Sequence, residues 1–156
     1  VEARLQRDAG RDDDARAALA RARSLAQEAG VRMLRLEADV LAHTRASEEQ
    51  ALDDEVLALG NLPLRLLWLE RLVDLRTGRG DAPAAVAAYR TAANLLARRG
   101  GYLRAQRLHT LGARALEEAG FTAEAARATE RAAEAQAALQ SELDILHFPG
   151  GPADGG

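Results

Sequence analysis

Six glycines, Gly10, Gly30, Gly60, Gly80, Gly100 and Gly120, cut the chain into runs of helix-forming residues. A glycine just past such a run marks where the backbone turns left-handed and a helix stops. Start signals follow the stops: Asp12 or Asp13, Asn61 with Pro63, Asp81 with Pro83 and Thr122 can each cap a helix, and Ser47 with Gln50 reads as a capping box. The punctuation predicts a partial helix over residues 1–9, then helices near 13–29, 31–44, 47–59, 62–77, 82–99, 102–119 and 122–146. Loops this short force neighbouring helices to run antiparallel. Composition agrees, with 36 Ala and 25 Leu against one Ile, two Tyr, two Phe and one Trp in 156 residues. The expected fold is all-α, with seven to eight helices over residues 1–146 and a flexible Gly/Pro tail over 147–156.

An internal repeat refines this. Five residues after Gly10, Gly80 and Gly120 stand Ala15, Ala85 and Ala125; twelve residues after stand Ala22, Ala92 and Ala132. A fourth register, starting at Ala46, places Ala51 and Ala58 at the same offsets, with anchors 36, 34 and 40 residues apart. Residues seven apart share a helix face, and alanine there lets a partner helix approach closely. With Leu116, Gly120, Ala125 and Ala132 in the last unit, and Trp68, Leu72, Gly80, Ala85, Tyr89 and Ala92 in the one before, the sequence resembles the tetratricopeptide repeat (TPR) family. The unit of that family is a helical hairpin of about 34 residues. The likeness spans residues 1–140; the second unit lacks its Gly, the Pro ends are missing, and one spacing is 40. These departures resemble the divergent bacterial repeats found beside signalling ATPases, kinases, transcriptional activators and caspase-like proteases. The resemblance implies an α-solenoid of antiparallel hairpins, with units near 1–29, 31–59, 62–99 and 102–146.

Catalysis finds little footing in the residues. There is no Cys, which removes disulfides, thiolate metal sites and a cysteine nucleophile and favours a cytoplasmic address. His43, His109 and His147 fall on different elements outside any ligand spacing, so each is expected at a surface or groove. Ser24, Ser47 and Ser141 lack a nucleophile-elbow context. Gly78-Arg79-Gly80 joins two helices where a dinucleotide loop must follow a strand, and Asp12-Asp13-Asp14 lacks the Gly and terminal Glu of a calcium loop. No enzyme activity, cofactor or metal is expected. No apolar run approaches the ~18 to 20 residues of a membrane span. A net charge of -3 and the scarcity of aromatics argue against nucleic acid and anionic membrane. All 21 basic residues are Arg, which reads as codon bias of a GC-rich genome. The chain opens on Val1 directly in a helical pattern, as a segment of a larger protein would.

Charge is unevenly spread. Glu37, Asp39, Glu48, Glu49, Asp53, Asp54 and Glu55 face one Arg45, whereas Arg98, Arg99, Arg104, Arg107 and Arg114 stand without an acid among them. Two solvated helix faces, or a polarised groove that orients a charged partner, would each produce this pattern. The helix over 62–77 is apolar on nearly all sides and is expected to be buried between neighbours. The TPR resemblance implies a concave groove lined by the first helix of each hairpin. Its positions here include Leu67, Glu70 and Asp74 in one unit and Arg107, Thr110 and Arg114 in the next. The Lys/Asn clamp that holds C-terminal carboxylates in that family has no counterpart, since the chain has no Lys. In the last helix, Leu139, Leu143 and Leu146, with Phe148 after them, either cap the solenoid or form a strip for self-association. The expected function is a non-catalytic protein- or peptide-binding scaffold within a larger bacterial signalling or regulatory protein. The alternative is a ligand-sensing module that controls a neighbouring catalytic or DNA-binding domain.

Overall fold

A computed structural model of the chain describes residues 12–28, 31–99 and 103–146. The expected helix over 1–9, the glycines Gly10, Gly30 and Gly100, His147, Phe148 and the tail over 147–156 lie outside the described residues. Among those described there are seven α-helices and no strand: α1 (Asp12–Glu28), α2 (Arg32–Ala42), α3 (Glu49–Leu59), α4 (Leu62–Gly78), α5 (Ala82–Arg99), α6 (Ala105–Glu118) and α7 (Thr122–Leu146). A short 3-10 turn, Ala46–Glu48, precedes α3. The protein is all-α. No helix among the described residues is long and apolar enough to cross a membrane.

Caps account for the start of α4 and for the turns that join α4 to α5 and α6 to α7. Asn61 accepts a hydrogen bond from the Leu64 amide at 2.9 Å ahead of Pro63, and Asp81 accepts one from the Ala84 amide at 3.2 Å. Gly80 and Gly120 adopt φ of 76° and 83° and close the same turn. At the first, Gly80 N–H donates to Thr77 O and Asp81 N–H to Arg76 O, both at 2.9 Å. At the second, Gly120 N–H donates to Glu117 O at 3.0 Å and Phe121 N–H to Leu116 O at 2.8 Å. In each, the residue after the glycine already accepts the first bond of the next helix, from Ala85 and from Ala125.

The expected capping box at Ser47 does not form. Ser47 lies inside the 3-10 turn, which is closed by the Glu48 amide donating to Arg45 O, and Glu48 at the start of α3 makes no side-chain cap bond. Gln50 donates instead to Asp54 at 2.9 Å. The start of α6 falls at Ala105 rather than 102, because Leu103 and Arg104 form a turn that aims the Arg104 guanidinium at α4.

One apolar core runs from Ala18 and Leu19 on α1 to Ala125 and Ala128 on α7. Helix α4 is its centre: Leu64, Leu66, Leu67, Trp68, Leu69, Leu72 and Val73 are all buried, as an almost uniformly apolar helix requires. α1 packs chiefly on α2, α4 on α5 and α6 on α7; α4 also meets α6 and α2, and α5 meets α6. α3 touches α2 and α4 only lightly.

The alanine spacing holds where hairpins pack. Ala15, Ala85, Ala92, Ala125 and Ala132 are buried. It fails at Ala22, Ala51 and Ala58, which are exposed. The register at Ala46 misleads because α2 leaves through extended backbone at His43 and Arg45, not through a glycine turn, so α3 does not fold back tightly on it. A close approach absent from the spacing argument occurs at Gly112. A methyl group there would stand 2.2 Å from the Tyr89 ring, so only hydrogen at this position lets α5 and α6 pack.

Candidate functional site

The six expected groove residues occupy three kinds of environment. Leu67 is part of the core. Glu70 is 3% exposed and receives the Arg104 guanidinium in a fork, Nε at 3.0 Å and Nη2 at 2.6 Å, with Arg107 Nε at 3.2 Å. This ion triad joins α4 to the start of α6 in a dry setting, where charge-assisted bonds are strong and an unpaired member is costly. Asp74, Thr110 and Arg114 bond within their own helices: Asp74 to Arg71 at 3.1 Å, Thr110 to Gln106 O at 2.9 Å and Arg114 to Glu118 at 2.9 Å. Arg71 also donates to His43 O at 3.0 Å, which fixes the link after α2. The structure therefore brings the buried Glu70 and the partly exposed Arg107 together in an ion pair and leaves Thr110 and Arg114 at the surface of α6.

The uneven charge turns inward in the same way. Glu49 is clamped by Arg76, at 2.9 Å, and by Arg79; Glu55 binds Arg35 at 2.6 Å; Asp39 binds Arg23 at 2.9 Å; and Asp53 accepts from the Trp68 indole at 2.8 Å. A concavity of about 270 Å³ among α3, α4 and α5 is lined by Glu49, Asp53, Arg65 and Arg76, of which Glu49 and Arg76 pair with each other.

Two histidines expected at a surface or groove are core residues. His43 meets Trp68 edge to face at 5.3 Å. His109 meets Tyr89 edge to face at 5.9 Å and shares a 3.0 Å hydrogen bond between its Nδ1 and the Tyr89 hydroxyl. Burial lowers the pKa of both imidazoles, and nearby Arg131 lowers that of His109 further. Their positions looked polar in the sequence because a lone histidine carries no sign of an aromatic partner elsewhere in the chain. No group of three His, Asp or Glu side chains among the described residues is placed to hold a metal ion.

A second concavity, larger than the first, lies between the second helices of two hairpins. A concavity of about 410 Å³ is lined by Tyr89, Arg90, Ala93 and Asn94 from α5, Leu116 from α6, and Glu124, Arg127 and Arg131 from α7. Arg90 is doubly fixed: it grips Glu124 through Nε at 3.1 Å and Nη2 at 2.8 Å, and its guanidinium lies 4.9 Å from the centre of the Phe121 ring. Tyr89 forms the floor, its hydroxyl pKa raised by burial and drawn partly back by Arg131. Arg127 and Arg131, one helical turn apart, line the α7 wall and have no ion-pair partner among the described residues. The site offers guanidinium, phenol and amide groups beside one carboxylate, a lining suited to binding an anion. In sequence, neither Arg127 nor Arg131 stands out; their four-residue spacing on one helix is the only local sign that they could act together.

Compared with known proteins, the chain matches no family model, no curated protein and no solved structure.

Proposed function

We propose that the chain is a non-catalytic protein-interaction segment, a TPR-like solenoid of antiparallel hairpins that presents its first-helix face to a protein or peptide within a larger regulatory protein. The observation that carries this reading is the recurrence of one turn. Gly80 and Gly120 close the α4/α5 and α6/α7 hairpins with the same hydrogen bonds and the same left-handed backbone, while α6 packs on both α4 and α5. A unit that stacks in this way buries its apolar face only against its neighbours and leaves a long outer surface for a partner. The polar residues left on that face are Asp74, Thr110 and Arg114, while Leu67, Glu70 and Arg107 hold α4 and α6 in register.

Affinity capture from a lysate of the source cells, with the whole chain as bait, tests the reading. The expected result is saturable retention of a partner at fixed stoichiometry. Retention that never saturates, or none, would refute it.

A further inference from the structure

We propose that the concavity between α5 and α7 docks an acidic peptide segment of a protein partner, with Arg127 and Arg131 receiving its side-chain carboxylates and Ala93 contacting its apolar atoms. This surface belongs to the second helices of the two hairpins, apart from the first-helix face. It rests on the interaction reading only in taking a polypeptide as its occupant.

Four observations carry the assignment. The wall holds three guanidiniums against one carboxylate, Glu124, an excess of positive charge in a chain whose net charge is -3. The single acid shows what the site prefers: Arg90 binds it in a two-point fork, the geometry that planar guanidinium offers a carboxylate. Arg127 and Arg131 have no carboxylate partner among the described residues, although Glu130 and Glu134 are neighbours on the same helix and Arg131 hydrogen-bonds the Tyr89 hydroxyl. Glu134 reaches this region only as a longer-range influence on His109. The volume, about 410 Å³, exceeds what one small anion fills, and the mixed basic and apolar lining matches a segment in which acidic and aliphatic residues alternate. Nucleic acid fits less well, because the one aromatic in the lining, Tyr89, is buried and offers no open face to stack on a base.

The test is fluorescence anisotropy of the whole chain with a labelled Glu-Leu-Glu-Glu-Leu-Glu peptide and its Gln-for-Glu counterpart. The acidic peptide should bind at least about tenfold more tightly than the neutral one, and the preference should shrink as salt rises. Arg127 is exposed, so Arg127→Gln keeps the fold and should weaken binding several-fold; Arg127→Gln with Arg131→Gln should abolish the preference. Glu124→Gln should tighten binding by releasing Arg90. Equal affinity for the two peptides, or binding unmoved by Arg127→Gln, would overturn the proposal. So would competition by inorganic phosphate or a short oligo-thymidylate at concentrations as low as those of unlabelled acidic peptide. If the peptide fails while the chain still captures a saturable partner, this inference falls and the interaction reading stands. If capture fails while the peptide behaves as expected, the reverse holds.

Discussion

Glu70 shows how a polar residue can be structural in a helix built of leucines. Its carboxylate is buried and tied to Arg104 and Arg107, so removing it takes from both guanidiniums the carboxylate they share. Because Arg107 is partly exposed, Glu70→Ala should cost about 2–4 kcal/mol, read as a lower urea midpoint. Gly112→Ala meets a different obstacle: the added methyl would overlap the Tyr89 ring, which His109 holds by hydrogen bond. Overpacking outweighs the helix-propensity gain, and a net loss of about 1–2 kcal/mol is expected by the same assay. The histidines respond to pH. Because the folded state holds both below the ordinary value, the unfolded chain binds more protons as pH falls, so their contribution is complete above about 6.5 and declines below it toward each folded-state value. Stability measured between about pH 7 and 5 should fall, and His109→Asn should flatten that slope. Neither Glu70 nor His109 could be assigned this way from sequence, because each depends on a partner more than a full helix away.

The elements themselves were largely legible, and the reason is capping chemistry. Asn61, Asp81, Gly80 and Gly120 act within a few residues of where they stand, so their spacing alone located both ends of α4 and the starts of α5 and α7. Ser47 and Ala46 misled because the same local patterns were overridden by a 3-10 turn and extended backbone, which the neighbouring residues do not announce. The contrast can be measured: Asn61→Ala should lose about 1 kcal/mol, whereas Ser47→Ala should leave the urea midpoint almost unchanged. α3 marks the limit of periodicity as evidence. Its alanines repeat at the right offsets yet face solvent, since the spacing records which residues could pack and not whether a partner helix arrives.

Across the whole molecule, one core links α1 to α7, and α4 lies at its centre because it contacts both hairpins beside it. The all-α class followed from composition and punctuation. The concavity of Arg90, Arg127 and Arg131 did not, because it forms only when the second helices of two hairpins come side by side. The proposed function divides α4 and α6 between inward residues, which pair across helices, and outward ones, which would meet a partner. The most direct measurement is the dissociation constant of the captured partner, purified, for the chain and for its Asp74→Ala, Arg114→Ala variant. The account predicts weakening of at least about tenfold, close to 1.4 kcal/mol, with the urea midpoint little changed. An unchanged dissociation constant would place the partner elsewhere and contradict the first-helix face as the binding surface.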